Sequence, residues 1–497
     1  MNELNLSKSK YCRCKICPKM YWMDTYKVEE KISKADQNVL VNGQKVGEFA
    51  KGLFGKYEDV EYNKDLNIMI DATNELLKNK PNIITEASFK YDNNFCSVDI
   101  LKNDEDGVEI YEVKSSKGEK AIYLDDIAYQ YYIVSSLGFN VKRACLVHIS
   151  KEYVKHGPID IHKFFTVEDE TEIIKGKQEE VRAIIDQQNV FMKEHGADNE
   201  PESNYARECW KPYRCDYLEY CTKELPKPSV FDLKGMGLEK RAELYHKGKV
   251  RLEDLVDEKL TDNYREMVDF VVNNRPPKIN KEAIKQFLDL LKYPLYFVDY
   301  ETCQEVFPEI DGVTPYQQLP FQYSLHIIKS KGAHVEHKEF LADPNDKDYV
   351  RHFTENLIKD IPGDGSVIIY NRSFEPARNK ELAVLYPEYK KDLERINSNI
   401  VDFMIPFANR DYYMKEMLGS YSIKIVLPAL FPDNPEYDYK NLEGVHNGLE
   451  APATFLSMRG MSIEEQAEIR KNLLDYCALD TLALVKILEK FEEIVGE

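Results

Sequence analysis

The stretch YPLYFVDYETCQ, residues 293–304, decides how the C-terminal half of this chain is read. Its apolar flanks predict a buried β-strand, yet Asp299 and Glu301 stand in the middle of it. Successive side chains on a strand point to opposite faces, so residues two apart share one. Two carboxylates side by side in a buried setting repel each other and lose hydration, and a positive partner has to offset that cost. The stretch therefore predicts a cation, supplied by the chain or taken from solution.

Two acidic motifs lie downstream. GSVIIYNRSFEPARNKELA, residues 365–383, reads as a buried strand, a turn and a helix with Glu375 at its start. NLLDYCALDTLALVKIL, residues 472–488, reads as an amphipathic helix. In it Tyr476 and Asp480 are four residues apart and share one face. A strand pair and two helix-borne acids can converge on two divalent metals about 3.5–4 Å apart, which clamp the attacking and leaving oxygens of a phosphodiester.

This ordered set resembles the DEDDy branch of the DnaQ-like 3′–5′ exonucleases, which have an RNase H-like fold. The resemblance implies Mg²⁺ or Mn²⁺ ligated by Asp299, Glu301, Glu375 and Asp480, with Tyr476 orienting the attacking water. Where that family carries Asp after the Phe, this chain has Glu375, one methylene longer. Asp402, in NIVDFMIPF, is either a substitute ligand or a structural or substrate-side residue. GSYSIKIVLPALFP (419–432), YNRSFEPAR and LLDYCALDT together resemble the bacterial family called domain of unknown function 2779, across about residues 295–490.

A second acidic constellation lies in IITEASFKYDNNFCSVDILKNDEDGVEIYEVKSSKG, residues 83–118. Asp99 ends one predicted strand, and Glu112 and Lys114 share a face of the next. Two carboxylates there can hold a divalent metal while the lysine offsets charge on a phosphate; the bland alternative is a hairpin with a surface ion pair. Cysteines bracket the region. ECWKPYRCDYLEYC (208–221) places Cys209, Cys215 and Cys221 six residues apart, and YCRCKICPKMYW (11–22) adds three more. Zinc sites more often use close C-x-x-C pairs, and three clustered cysteines plus a remote one suit a four-thiolate cluster.

With Asp99, Glu112, Lys114 and Gln130 between them, the cysteines resemble those of the iron–sulfur RecB-like nucleases of the PD-(D/E)xK fold, a group that includes Cas-four. The resemblance implies a [4Fe-4S] cluster on Cys17, Cys209, Cys215 and Cys221, with Cys12 or Cys14 as alternatives to Cys17. Those nucleases often carry a metal-binding His where this chain has Gly47, and Glu86 is the residue that can compensate. Cys96, Cys145, Cys303 and Cys477 are isolated in apolar contexts and read as small buried hydrophobes.

The whole chain of 497 residues is expected to be α/β throughout. A PD-(D/E)xK restriction-endonuclease-like domain with an iron–sulfur staple spans 1–225. A helical linker spans 226–290, in which LKGMGLEKRAEL (233–244) resembles a helix-hairpin-helix or is an ordinary helical linker. An RNase H-like (DnaQ) domain spans 291–497. The net charge of −20 argues against coating nucleic acid by bulk charge. SKSKYCRCKICPK still offers a basic patch, or a solvated basic segment, through Lys8, Lys10, Arg13, Lys15 and Lys19. With no apolar run of about 18 residues and no signal-peptide core, a cytoplasmic protein without a membrane partner is expected. The expected activity is metal-dependent hydrolysis of nucleic acid, DNA rather than RNA. The rival is a nucleic-acid-binding or scaffold protein with one or both sites degenerate.

Overall fold

Hydrophobic period and turn chemistry divide the chain into mixed α/β structure. The computed structural model describes residues 6–32, 37–437, 439–442, 444–445, 448 and 450–496. Two units result, Met1–Glu224 and Leu225–Glu497, each with its own core. Among the described residues no helix is long and apolar enough to cross a membrane.

The first unit is built on a seven-stranded sheet. Its strands are β1 (Leu6–Ser7), β2 (Glu58–Asp59), β3 (Ile83–Tyr91), β4 (Asn94–Asp104), β5 (Gly107–Lys114), β6 (Val141–Ile149) and β7 (Phe165–Asp169). They run in the order β2-β3-β4-β5-β6-β7, with β1 added beside β4. β3, β4 and β5 form an antiparallel meander. The β4–β5 turn needs Gly107: its φ is +143°, and a Cβ there would come 2.2 Å from the Asn140 carbonyl oxygen. The helix Ala121–Ser136 then carries the chain to β6, which is parallel to β5 as such a crossover requires. On the side of β4 facing β5, residues 100–104 pair with β5 and residues 94–95 pair with β1. Asp99 therefore lies in the gap between those two partners.

The second unit holds a five-stranded sheet and a two-stranded one. β8 (Lys278–Ile279) pairs with β14 (Tyr412–Tyr413). The larger sheet contains β9 (Leu295–Cys303), β10 (Leu319–Ile328), β11 (Glu336–Leu341), β12 (Val367–Ile369) and β13 (Ile400–Asp402), in the order β11-β10-β9-β12-β13. β9, β10 and β11 are antiparallel, and β12 and β13 run parallel to β9. Both faces of β9 are covered, which is why its sequence lacks a polar alternation. On one face Tyr296, Val298 and Tyr300 join a core with Val350, Phe353 and Leu357. On the other, Leu295 and Phe297 join Phe403, Ile487 and Phe491. Residues 226–290 do not stand apart as a linker. Val230, Leu244, Leu252 and Met267 enter the core that holds Phe297 and Phe491, because short amphipathic helices are stable only with their apolar faces covered.

Candidate functional site

The face of β9 that begins with Leu295 and Phe297 continues to Asp299 and Glu301. Against β9 and β10 lies the 33-residue helix Ile463–Val495, started by a capping box between Ser462 and Glu465. It brings Asp480 to the pair, and carboxylate oxygens of Asp299, Glu301 and Asp480 lie within 4.8 Å of one another. Tyr439 donates a 2.6 Å hydrogen bond to Asp480 Oδ1, and Lys424 Nζ donates one of 3.1 Å to the Tyr476 hydroxyl. Gly448 completes the wall: a Cβ there would stand 3.8 Å from the Tyr476 hydroxyl and 3.9 Å from both Glu301 oxygens.

Glu375 opens the helix Glu375–Leu385, 2% exposed, and its Oε2 has no hydrogen-bond partner among the described residues. It lies outside the group of three, although its charge is felt at Asp299. Asp402 is committed elsewhere: Oδ1 accepts from the N–H groups of Asn371 and Met404, and Oδ2 from that of Arg372. It pins the turn that leads to Glu375, and is a structural residue rather than a substitute ligand. Lys424 is one ammonium against four carboxylates. Burial first, then the fields of Asp480, Glu375 and Glu301, push the Asp299 carboxyl well up. Burial and Asp480 do the same to Glu301. Burial lifts Glu375 to about 8 and Asp480 to about 6, the latter restrained by Tyr439 and Lys424. Burial and the Asp480 charge hold the Tyr476 hydroxyl protonated. Three converging carboxylates and an orphaned buried carboxyl oxygen are what a hard divalent cation takes as ligands. The residues fit such an ion.

In the first unit, Asp99, Glu112, Lys114 and Gln130 come together, but around a different cation. Lys8 Nζ lies 2.8 and 2.9 Å from the two Glu112 oxygens and 3.8 Å from Asp99 Oδ1. Lys114 Nζ adds a contact of 2.8 Å to Glu112 Oε1, and Gln130 Nε2 donates to Oε2 at 2.6 Å. Asp99 Oδ2 accepts from the Val113 N–H at 2.7 Å. Lys114 also hydrogen-bonds Asp126. Burial would raise Glu112, yet the Lys114 and Lys8 charges outweigh it and hold the group at about 2. Asp99 moves the other way, upward, through burial and the Glu112 charge. Every carboxylate oxygen of the pair already has a donor or an ammonium, so the site as it stands does not fit a divalent ion. A side chain at Gly47 would meet nothing within 4 Å, and Glu86, in the left-handed region at φ +55°, interrupts the ladder opposite Asp99. Its carboxyl is raised by burial, with Lys51 and Lys8 pulling it back.

The cysteines separate into two sets. Cys17, Cys209, Cys215 and Cys221 line one pocket, together with Met20, Met23 and Tyr205. All ten thiols are unpaired. Cys12 Sγ is directed to Asp126 Oδ1 and Cys14 Sγ to the Tyr11 carbonyl, each at 3.0 Å. Burial raises the Cys17, Cys209 and Cys215 thiols, and the neighbouring sulfurs add to the effect. Four free sulfurs in one pocket are a donor set suited to a four-thiolate metal group. The basic segment is not an open patch. Arg13 pairs with Asp24 and Asp216, Lys15 with Asp125 and Glu180, Lys19 with Glu200, and Lys10 lies over the Tyr21 ring. A local excess of acid drew these charges inward.

Sequence reading missed Asp126, Lys424 and Tyr439 at these sites, and missed that Lys8 is the partner of Glu112. Lys424 sits inside GSYSIKIVLPALFP, the one signal that could have found it.

Residues 296–422 match the family described as Domain of unknown function (DUF2779). The chain is similar to "Uncharacterized protein UU173" of Ureaplasma parvum serovar 3, at 25% identity over 45% of this chain and 35% of that protein. It is also similar to "Uncharacterized protein MG366" of Mycoplasma genitalium, at 26% identity over 41% of this chain and 33% of that protein. The chain thus spans about a third of the length of these curated relatives. The crystal structure of SSO0001 aligns with 46% of this chain and 90% of its own at 14% identity, with a TM-score of 0.26.

Proposed function

We propose that the second unit is a metal-dependent nuclease of the DnaQ-like DEDDy kind, hydrolysing phosphodiester bonds of DNA as an exonuclease. The observation that carries this reading is the convergence of Asp299, Glu301 and Asp480 within 4.8 Å, with Tyr476 one helical turn from Asp480. Bound Mg²⁺ or Mn²⁺ would polarise the phosphoryl oxygens and acidify a water. The chain's own share is to hold the ion through Asp299, Glu301 and Asp480, with Glu375 as the outlying carboxylate. Tyr476, kept protonated by burial and the Asp480 charge and held in place by Lys424, donates a hydrogen bond that orients the attacking water. In this reading the first unit carries a [4Fe-4S] cluster on Cys17, Cys209, Cys215 and Cys221, which ties its two ends together.

The test is an assay on end-labelled single- and double-stranded DNA and RNA with Mg²⁺ and Mn²⁺. Asp299→Asn should abolish hydrolysis, and Tyr476→Phe should slow it on the order of a hundredfold without weakening Mn²⁺ binding. Hydrolysis by Asp299→Asn at the wild-type rate would sink the reading; cleavage of RNA alone would correct the substrate. A second reading, in which the first unit binds a strand without cutting it, is favoured by Lys8 at Glu112. It expects Lys114→Ala to leave hydrolysis unchanged.

A further inference from the structure

We propose that Lys8 is a tethered cation occupying the place between Asp99 and Glu112 that a divalent ion would take, so that Lys8 and metal exclude each other in the first unit. The fold delivers this lysine by design of the sheet. β1 runs parallel to β4 with Leu6 opposite Asn94 and Ser7 opposite Phe95, so the next residue is carried towards Asp99. The Ser7 hydroxyl accepts the Lys10 N–H and starts the helix Lys8–Ile16 at that point. The Leu6 carbonyl is itself held by the Tyr129 hydroxyl at 2.6 Å, which anchors the arm to the helix that bears Gln130.

The contacts leave no vacancy for an ion. Lys8 bridges both Glu112 oxygens and reaches Asp99, while Lys114 and Gln130 take the remaining lone pairs of Glu112. An ion entering beside Lys8 would meet two ammonium groups within contact distance of one carboxylate, and like charges at that range repel strongly in a partly desolvated site. The second unit is built the other way: Lys424 bonds the Tyr476 hydroxyl, and among the described residues Asp299, Glu301 and Asp480 have no ion pair. One site is thus neutralised by the chain itself, and the other is left acidic.

The test counts Mn²⁺ bound to the full chain by electron paramagnetic resonance of the free ion, in an Asp299→Asn, Asp480→Asn background that disables the second unit's carboxylates. That background should take up no Mn²⁺ at Asp99 in the millimolar range. Adding Lys8→Ala should create one binding equivalent, tighter by at least about tenfold, and further adding Asp99→Asn should remove it. The proposal fails if the background already binds an ion that Asp99→Asn removes, or if Lys8→Ala gains none. Circular dichroism checks folding. Should Lys8→Ala not fold, Lys8→Gln and Lys8→Met replace it: one Asp99-dependent equivalent gained in either supports the exclusion, and none gained in a folded variant overturns it. The readout is binding, so it stands or falls separately from hydrolysis in the second unit.

Discussion

Glu375 shows what one side chain contributes when its position serves something other than stability. Its carboxyl rises from 4.5 to about 8, through burial before any other cause. Between those values the folded chain holds a proton that the unfolded chain has released. Stability is therefore fully present at acid pH and is lost as pH climbs through this window. Chelator-treated protein should lose up to about 1.4 kcal/mol per pH unit from this group between about pH 5 and 8, seen in urea titrations. Glu375→Gln should flatten that slope, and Mn²⁺ should reverse it, because a metal needs the ionised carboxylate. At this scale the sequence was readable wherever spacing was periodic. Asp299 with Glu301, and Tyr476 with Asp480, share faces that periods of two and of about four dictate. Lys8 was not readable, since 104 residues separate it from Glu112 and only the β1–β4 register joins them.

Helices Lys8–Ile16 and Pro18–Tyr26 are held in place by an ionic clamp as well as by their buried aromatic faces. The Arg13 guanidinium grips Asp24 through Nε and Nη2, at 2.5 and 3.1 Å, and Asp216 through Nη1 at 3.0 Å. Asp216 adjoins Cys215, so the clamp sets the cysteine loop against the first helix. Arg13→Ala leaves Asp24 to the Tyr217 hydroxyl and Asp216 to Lys31, and should cost the first unit about 2 kcal/mol in chemical denaturation. Arg13→Lys should recover little of this, because an ammonium cannot make the forked contact. Strands were the most legible elements, as in LYFVDYE and SVIIY, where continuous apolar runs meant cover on both faces. The stretch 226–290 was least legible. Its short helices show one apolar face each, and nothing local says which core they join.

Taken whole, the chain comprises two units with separate cores and opposite solutions to the burial of acid. Leu225–Glu497 made alone should fold and be stabilised by Mn²⁺ as much as the full chain is, whereas Met1–Glu224 should show no such shift until Lys8 is replaced. Absence of an Mn²⁺ shift in folded Leu225–Glu497 would count against a self-sufficient metal site there. Scanning calorimetry of the full chain should then resolve two transitions, of which only one responds to the ion.

The partition of the thiols gives the molecule an internal clock. Cys12, Cys14, Cys96, Cys145, Cys303 and Cys477 are sealed, while Cys17, Cys209, Cys215 and Cys221 are partly open. Once any bound metal group has been stripped, an alkylating reagent added in brief pulses would therefore tag the open quartet first, and each sealed cysteine only when its own neighbourhood opens. Cys96 and Cys145 time the first unit, Cys303 and Cys477 the second. Mass spectrometry of the tagged peptides would read the lifetimes of both units from a single sample.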